Sequence, residues 1–318
     1  MGNARLLAPG DWSGFRWRVP ERFNIAVACC DVWPADRVAI VVPGGADWTF
    51  GDLKARSDRL ATAFAARGIG KGDRVAILLP QSPYVMLTHF AAMKLGAITV
   101  PLFTLFGEDA LRYRLQDSGA RACVTDAEGA ERVVALGCDT LEHVFVTDGP
   151  GGLSVADEIA KAAPISQCAA TQADDPAMLI YTSGTTGAPK GALHAHRFLL
   201  GHLPSVEAQQ EYMPQPGDVG WTPADWAWIG GLMDLALPCL FHGIPLVAHR
   251  MGKFDPDAAY RLIRDEQVRN LFLPPTALKL MRQARAPDGL KIRSVSSGGE
   301  SLGSDLHAWA RAAPLAPR

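Results

Sequence analysis

Short apolar runs alternate with helix-period segments along most of the chain, and no other feature of the sequence constrains the fold as strongly. The alternation opens with a strand-like run at Arg37 to Val42 and a helical segment from about Asp52 to Arg67 that turns Leu53, Leu60 and Phe64 inward. Gly68 stops that helix. The stretch Gly68-Ile69-Gly70-Lys71-Gly72-Asp73 leads into Arg74 to Leu79, short and apolar enough for a buried parallel strand. Its Gly-x-Gly reads as a turn, because a dinucleotide-binding fingerprint places its glycines after a strand and before a helix. A helix near Tyr84 to Lys94, a strand at Ile98 to Pro101, a helix near Glu108 to Gln116 and strands at Ala122 to Thr125 and His143 to Thr147 continue the pattern. Such alternation predicts parallel α/β layers.

A chain of 318 residues fits about two domains of ordinary size. The internal boundary is expected between Gly149-Pro150-Gly151-Gly152 and Asp175, where the residues turn polar or Ala-rich. A second series then follows, with strands at Ala177 to Tyr181, Ile244 to Ala248, Asn270 to Leu273 and Ile292 to Ser296, and helices near Pro256 to Asp265 and Pro275 to Arg282. The expected fold is therefore α/β, two stacked subdomains with mainly parallel sheets, divided as residues 1–170 and 171–318.

Composition removes several function classes. Lys plus Arg 31 against Asp plus Glu 33 leaves a net charge of −2, so no basic stripe exists for a nucleic-acid backbone, and a bound nucleotide needs a specific site. The six cysteines, Cys29, Cys30, Cys123, Cys138, Cys168 and Cys239, contain no C-x-x-C pair and read as reduced thiols. Met1 to Trp12 lacks a signal-peptide core, and Leu232 to Ala248, the most apolar stretch, is interrupted by Asp234, Pro238, His242 and Pro245. A soluble cytoplasmic protein without a membrane span is expected; self-association into a homo-oligomer is left open.

The chemistry concentrates at Tyr181-Thr182-Ser183-Gly184-Thr185-Thr186-Gly187-Ala188-Pro189-Lys190-Gly191. Glycines let backbone N–H groups approach anionic oxygens, the hydroxyls of Thr182, Ser183, Thr185 and Thr186 add donors, and Lys190 supplies a compensating charge. The loop suits a polyphosphate. It is not a Walker A loop, since the only Gly-Lys pairs, Gly70-Lys71 and Gly252-Lys253, are followed by Gly and Phe. His194, His196 and His202 follow it without a Cys or carboxylate at ligand spacing, and structural roles are expected for them rather than a metal site.

The loop resembles the signature of the AMP-forming acyl-adenylate synthetases, which include acyl-CoA synthetases, luciferases and peptide-synthetase adenylation domains. Other segments agree. Phe23-Asn24-Ile25-Ala26 with Cys29-Cys30-Asp31, then Thr49-Phe50, resemble the entry region of acyl-CoA synthetases, and Lys94-Leu95-Gly96-Ala97 with Pro101-Leu102 resembles the family's early core motif. Ala224-Asp225-Trp226-Ala227-Trp228 resembles the A-D-x-x-W element that short- and medium-chain acyl-CoA synthetases place near the acyl pocket, and Pro274-Pro275-Thr276-Ala277-Leu278 the same branch's strand-to-helix turn. Ser297-Gly298-Gly299-Glu300-Ser301-Leu302 resembles the adenine-contacting turn. Gly299-Glu300-Ser301-Leu302-Gly303 also satisfies the G-x-S-x-G hydrolase elbow, but only 17 residues follow Ser301, and the later acid and His of a hydrolase do not fit there.

The resemblance implies ATP-dependent adenylation of a short- or medium-chain or aromatic carboxylic acid, then thioester formation with coenzyme A, with Mg2+ sharing the phosphate charge. It implies that Ser183, Thr185, Thr186 and Lys190 hold the β- and γ-phosphates, with Thr182, Gly184 and Gly187 completing the loop. Thr185 and Lys190 stabilise the phosphate charge, Gly298, Gly299, Glu300 and Ser301 border adenine, and Asp225 and Trp228 lie toward the acid. No protein metal ligand is assigned. The family pattern continues beyond this chain, with a magnesium-associated Glu, a ribose-binding Asp, a hinge and a C-terminal domain with its adenylation Lys. The absence of these elements, and the prolines in Arg311-Ala312-Ala313-Pro314-Leu315-Ala316-Pro317-Arg318, lead to the expectation of a truncated or frameshifted reading frame. A catalytically inactive remnant that only binds nucleotide or acyl-adenylate is the alternative expectation, and a serine hydrolase a distant one.

Overall fold

The alternating pattern resolves into two mainly parallel sheets, each belonging to its own compact unit. The computed structural model describes residue 6, residues 14–182 and residues 187–312. The first unit contains Val32–Phe50, the described residues from Leu199 onward and those before Val19; the second contains Val19–Asp31 and the described residues of Gly51–Phe198. The chain thus enters the second unit, leaves it for the short excursion of residues 32–50, and returns to it before the final crossing at Phe198.

The excursion carries β1 (Val38–Val41) and β2 (Trp48–Thr49), an antiparallel pair. The second unit follows, with α1 (Phe50–Ala65), β3 (Arg74–Leu78), α2 (Pro83–Lys94), β4 (Ile98–Pro101), α3 (Glu108–Ser118), β5 (Ala120–Thr125), α4 (Ala127–Ala135), β6 (His143–Val146), β7 (Leu153–Ser154), α5 (Val155–Lys161), β8 (Pro176–Thr182) and β9 (Lys190–Ala195). Its seven strands lie in the order β7-β6-β5-β3-β4-β8-β9, parallel except for the closing β8–β9 hairpin. β3 reads as an unbroken apolar run because it is buried among strands on both sides, as central parallel strands are. α1 buries Leu53, Leu60 and Phe64, the stripe its helical period sets out.

α2 begins with Pro83 in its first turn, where no backbone donor is needed, and ends on Lys94. The Lys94 side chain is wholly buried and holds three partners, Asp31 Oδ1 at 2.9 Å, Asp58 Oδ1 at 2.6 Å and Ser57 Oγ at 2.9 Å. A charge buried this deeply is tolerable only when so completely paired. Asp31 is the last residue before the excursion and Asp58 lies on the helix that follows it, so one ammonium ties down both sides of the exit.

The first unit resumes with α6 (Phe198–Gln209), β10 (Gly220–Trp221), α7 (Ile229–Gly231), α8 (Leu237–Phe241), β11 (Leu246–Val247), α9 (Pro256–Asp265), β12 (Asn270–Phe272), α10 (Pro275–Met281), β13 (Ser294–Ser296) and α11 (Ser304–Ala312). Its sheet runs β13-β12-β10-β11-β1-β2, with β13 and β2 at the edges. α9 is capped by Asp255, whose carboxylate accepts from the N–H groups of Asp257 and Ala258, and it buries Ala259, Tyr260, Leu262 and Ile263 against the core around Trp221 and Leu271. Among the described residues no helix is long and apolar enough to cross a membrane.

The expected division at residues 170 and 171 differs from this arrangement. β8 does not start a second unit: it pairs in parallel with β4, Met178 opposite Thr99, and so extends the sheet that holds β3 to β7. The reverse holds at the other end, where β1 pairs with β11 in the later unit, Ile40 opposite Leu246. Local composition marks loops, whereas unit membership is decided by strand partners far along the chain.

Candidate functional site

The Gly/Thr-rich loop joins β8 to β9. These strands are in antiparallel register, Tyr181 opposite Gly191 and Thr182 opposite Lys190, so Thr182 and Lys190 face each other where the loop leaves the sheet. Because β8 runs parallel to β4, that position is at the carboxyl end of the parallel strands, where ligands bind in open α/β sheets. Ser183, Gly184, Thr185 and Thr186 lie outside the described residues. Thr182, Gly187 and Lys190 are exposed. Among the described residues the Lys190 ammonium has no ion-pair partner, leaving its charge available to an anion. Gly187 has φ +114°, a backbone conformation that disfavours any side chain.

The stem of this hairpin is held from α3. Tyr181 Oη donates to Asp117 Oδ2 at 2.6 Å, and Tyr113 Oη donates to the Pro189 carbonyl at 3.0 Å. The two rings meet edge to face with centroids 6.3 Å apart, and the Arg114 guanidinium lies 5.6 Å over Tyr181. Burial and the facing Asp117 carboxylate push the Tyr181 phenol above its usual range, so it stays a donor throughout the physiological range. Gly191 keeps this packing close, since a Cβ there would stand 3.0 Å from Leu179 and 3.4 Å from the Tyr181 ring and press both outward.

In the other unit, the Ala224–Trp228 segment folds on itself. Asp225 Oδ1 accepts from the Ala227 N–H at 2.8 Å, and the Asp225 carbonyl accepts from the Trp228 N–H at 3.2 Å. Burial raises the Asp225 carboxyl to about 6, against the opposing pull of the Ala227 N–H and the Arg250 charge. Trp221 and Trp226 are buried, whereas Trp228 leaves 39% of its surface open, enough for its ring to meet a ligand. The following Gly230 admits Phe272 from the end of β12, since a Cβ there would lie 2.9 Å from that ring; Gly298 also lies beside the ring, at a distance where a Cβ would make ordinary contact, 3.7 Å. Phe272 thus links the turn after Trp228 to the turn after β13.

The segment from Ser297 to Gly303 connects β13 to α11. Gly298 is half-buried, Gly299 takes φ +90°, and Glu300 and Ser301 are exposed. A nucleophile elbow needs its Ser at a sharp turn directly between strand and helix. Here β13 ends at Ser296 and α11 begins at Ser304, leaving Ser301 in the middle of a long connection.

The three histidines after the loop are used structurally. The His194 ring stacks on Phe198 at 3.9 Å between centroids, His196 Nδ1 accepts from the buried Ile25 N–H at 3.2 Å, and His202 Nδ1 meets Asp234 Oδ1 at 3.1 Å. Burial lowers His196 to about 4.

In one unit the structure brings the predicted Thr182 and Lys190 opposite each other at the hairpin mouth, with Gly187 in the loop between them; in the other, the predicted Gly298 lies beside Phe272, which also packs on Gly230 in the turn after the predicted Trp228. Sequence reasoning missed Tyr113, Arg114, Asp117 and Phe272. The first three sit at one helical turn's spacing on α3, a mixed aromatic and charged face that is a usable signal for a helix serving a sheet end. Phe272 offered none, because a Phe ending an apolar strand looks like core.

Residues 28–316 match the family model described as AMP-binding enzyme, and the chain belongs to that family. Acetyl-coenzyme A synthetase of Halorhodospira halophila is 30% identical over 348 residues, covering 95% of this chain and 52% of that protein. Feruloyl-CoA synthase of an Amycolatopsis species is 32% identical over 283 residues, covering 86% of this chain and 55% of that protein. The crystal structure of Brucella canis acyl-CoA synthetase matches with a TM-score of 0.82 at 28% identity, over 93% of this chain and 56% of that one. The chain spans about half the length of the curated relatives it matches.

Proposed function

We propose that the chain serves AMP-forming acid–thiol ligase chemistry, in which ATP activates a short- or medium-chain or aromatic carboxylic acid and the acyl group passes to coenzyme A. The observation that carries this reading is the β8–β9 hairpin, which presents Thr182, Gly187 and the exposed Lys190 at the carboxyl end of a parallel sheet. Family membership and the names of the relatives, an acetyl- and a feruloyl-CoA synthetase, support the acid classes.

In the first step the acid's carboxylate oxygen attacks the α-phosphorus of ATP, and pyrophosphate leaves with the bond electrons. In the second the thiol of coenzyme A attacks the acyl carbonyl and AMP leaves. The substrate is its own nucleophile, so the protein has to position reactants and neutralise charge rather than supply a triad. Thr182, Ser183, Gly184, Thr185, Thr186, Gly187 and Lys190 are assigned to the β- and γ-phosphates, with Thr185 and Lys190 stabilising the departing pyrophosphate. Gly298, Gly299, Glu300 and Ser301 are assigned to adenine, and Asp225 and Trp228 to the acid.

The loop offers magnesium hydroxyl oxygens, while Lys190 would not bind the ion but would neutralise the same phosphates. Among the described residues no group of three His, Cys, Asp or Glu is placed to hold a metal. Phosphate oxygens and water are its proposed ligands, and when bound the ion would share the phosphate charge. A cytoplasmic setting, where ATP and coenzyme A are held, is part of the proposal.

Pyrophosphate–ATP exchange with a panel of acids, acetate through octanoate plus benzoate and ferulate, tests the reading. Acid-dependent exchange lost in Lys190→Ala is expected. Stabilisation by acyl-sulfamoyl-adenosines without any exchange would instead define a protein that binds the adenylate and does not make it.

A further inference from the structure

Directly behind the Ser297–Gly299 turn lies a buried polar network that the proposed chemistry does not use. Gln210, the residue after α6, is wholly buried; its Nε2 donates to Ser296 Oγ at 2.8 Å and to the Leu271 carbonyl at 3.0 Å, and its Oε1 accepts from Ser294 Oγ at 2.5 Å. Arg293 makes two bonds to Asp218, at 2.9 and 2.7 Å, and donates to the carbonyls of Gln210 and Glu211, each at 2.9 Å. In the amide orientation that satisfies both of its polar atoms, Asn270 joins them, donating to Asp218 Oδ1 at 3.0 Å and accepting from Arg293 at 2.8 Å. Glu211 and Tyr212 follow with φ +50° and +56°, an unfavourable conformation for residues with side chains, so the network holds a strained turn in place.

Ser294 and Ser296 are alternate residues of β13 and point to one face, which Gln210 grips at both. Ser296 is the last strand residue, and the next three residues, Ser297, Gly298 and Gly299, form the turn. Two glycines cannot aim a turn by themselves; its direction is inherited from where Ser296 is fixed. The Ser297 hydroxyl is buried and, among the described residues, has no partner. Ser297 also lines a cavity of about 430 Å³, together with Glu211, Leu302 and His307. A polar group left unsatisfied at the mouth of a fully satisfied network is where a ligand atom belongs.

We propose that Gln210 is a positioning residue for the nucleotide: by fixing Ser296 it sets the Ser297–Gly299 turn at the height and angle that adenine recognition requires. This rests on the assignment of that turn to adenine. Gln210 itself touches no substrate and acts through Ser296.

The test compares dissociation constants of benzoyl-sulfamoyl-adenosine and its inosine counterpart, whose ratio reports the base contact and is insensitive to a general loss of stability. Wild type is expected to prefer adenosine by about tenfold or more. Gln210→Met, which keeps the volume and removes every side-chain hydrogen bond, and Ser296→Ala should both bring the preference within about threefold. Tyr260→Phe, which removes the buried hydrogen bond to the Met281 carbonyl elsewhere in the same unit, should leave it unchanged. Full preference retained in folded Gln210→Met and Ser296→Ala overturns the proposal. If Gln210→Met does not fold, Ser296→Ala decides with the same two outcomes. A wild type that binds both compounds equally overturns the adenine assignment itself, and the role of Gln210 with it.

Discussion

The hairpin mouth and the turn after β13 present their candidate ligand contacts by opposite means. At the hairpin the contacting groups are exposed side chains, and rigidity comes from the stem, where Tyr113 and Asp117 grip Pro189 and Tyr181. After β13 the contacting groups belong largely to backbone around Gly298 and Gly299, and rigidity comes from a buried network one strand deeper. A single substitution at the hairpin mouth can therefore remove a contact without harming the fold. At the turn, geometry and stability are coupled.

The two units also differ in how acid acts on them. His89 is wholly buried beside Thr99 and His196 is buried against Ile25, and burial lowers them to about 3 and about 4 respectively. Both lie in the unit that carries the hairpin. Their folded values lie below that of an exposed His, so the unfolded chain takes up protons first and stability falls as pH drops below about 6.5. At pH 5 the two sites together cost about 4 kcal/mol. Hydrogen exchange followed from pH 7 to 5 should show this unit opening before the other, and equal loss of protection in both would break the contrast.

Lys190→Ala probes the hairpin mouth alone. Removing a charge-assisted contact to phosphate should weaken ATP·Mg binding by about 1.5 to 3 kcal/mol, roughly 10- to 150-fold. Because Lys190 is exposed, the melting temperature of the free protein should stay where it was. Calorimetric titration at unchanged stability would confirm the separation of contact from scaffold; unchanged affinity would remove Lys190 from the site.

Asp225 tests the other unit with the opposite sign. Its carboxyl, raised to about 6 by burial, ionises later in the folded state than in the unfolded one, so stability is lost as pH rises from about 4 to 6. Asp225→Asn keeps an acceptor for the Ala227 N–H and should stabilise the protein by no more than about 3 kcal/mol at pH 7.5, a gain nearly gone by pH 4. Urea unfolding at the two pH values measures it. A stabilised variant that binds acyl-adenylate mimics less well would show that the strain is kept for the ligand.

Much of this was legible in the residues and some was not, for reasons the two sites make plain. The β8–β9 loop announces itself because glycines, hydroxyls and a cation in one short stretch are what a polyphosphate would need, but its place at the end of a parallel sheet came only from the pairing of β8 with β4. The positions of α1, α2 and the central strands followed from apolar periodicity. The unit boundary did not, since nothing local in Pro176–Thr182 says that it pairs with β4 rather than starting a new sheet. Nor did the support of either site. Tyr113 meets Pro189 across 76 positions and Gln210 meets Ser296 across 86, and although the face of α3 marks a helix that serves a sheet end, contacts so distant leave no spacing that names their partners.

The smallest expected effect sharpens the contrast between contact and scaffold most. Tyr181→Phe removes the hydroxyl that donates to Asp117 and leaves the ring packed against Tyr113. Asp117 is exposed, so water takes the lost place on its carboxylate, and the cost should be only about 1 kcal/mol in chemical unfolding. Affinity for ATP·Mg should nevertheless fall, by roughly threefold, because the stem no longer fixes the strand from which Thr182 departs. A stability loss with unaltered affinity would mean that the pairing of Thr182 with Lys190 suffices to shape the hairpin mouth, and that α3 supports the sheet without serving the loop.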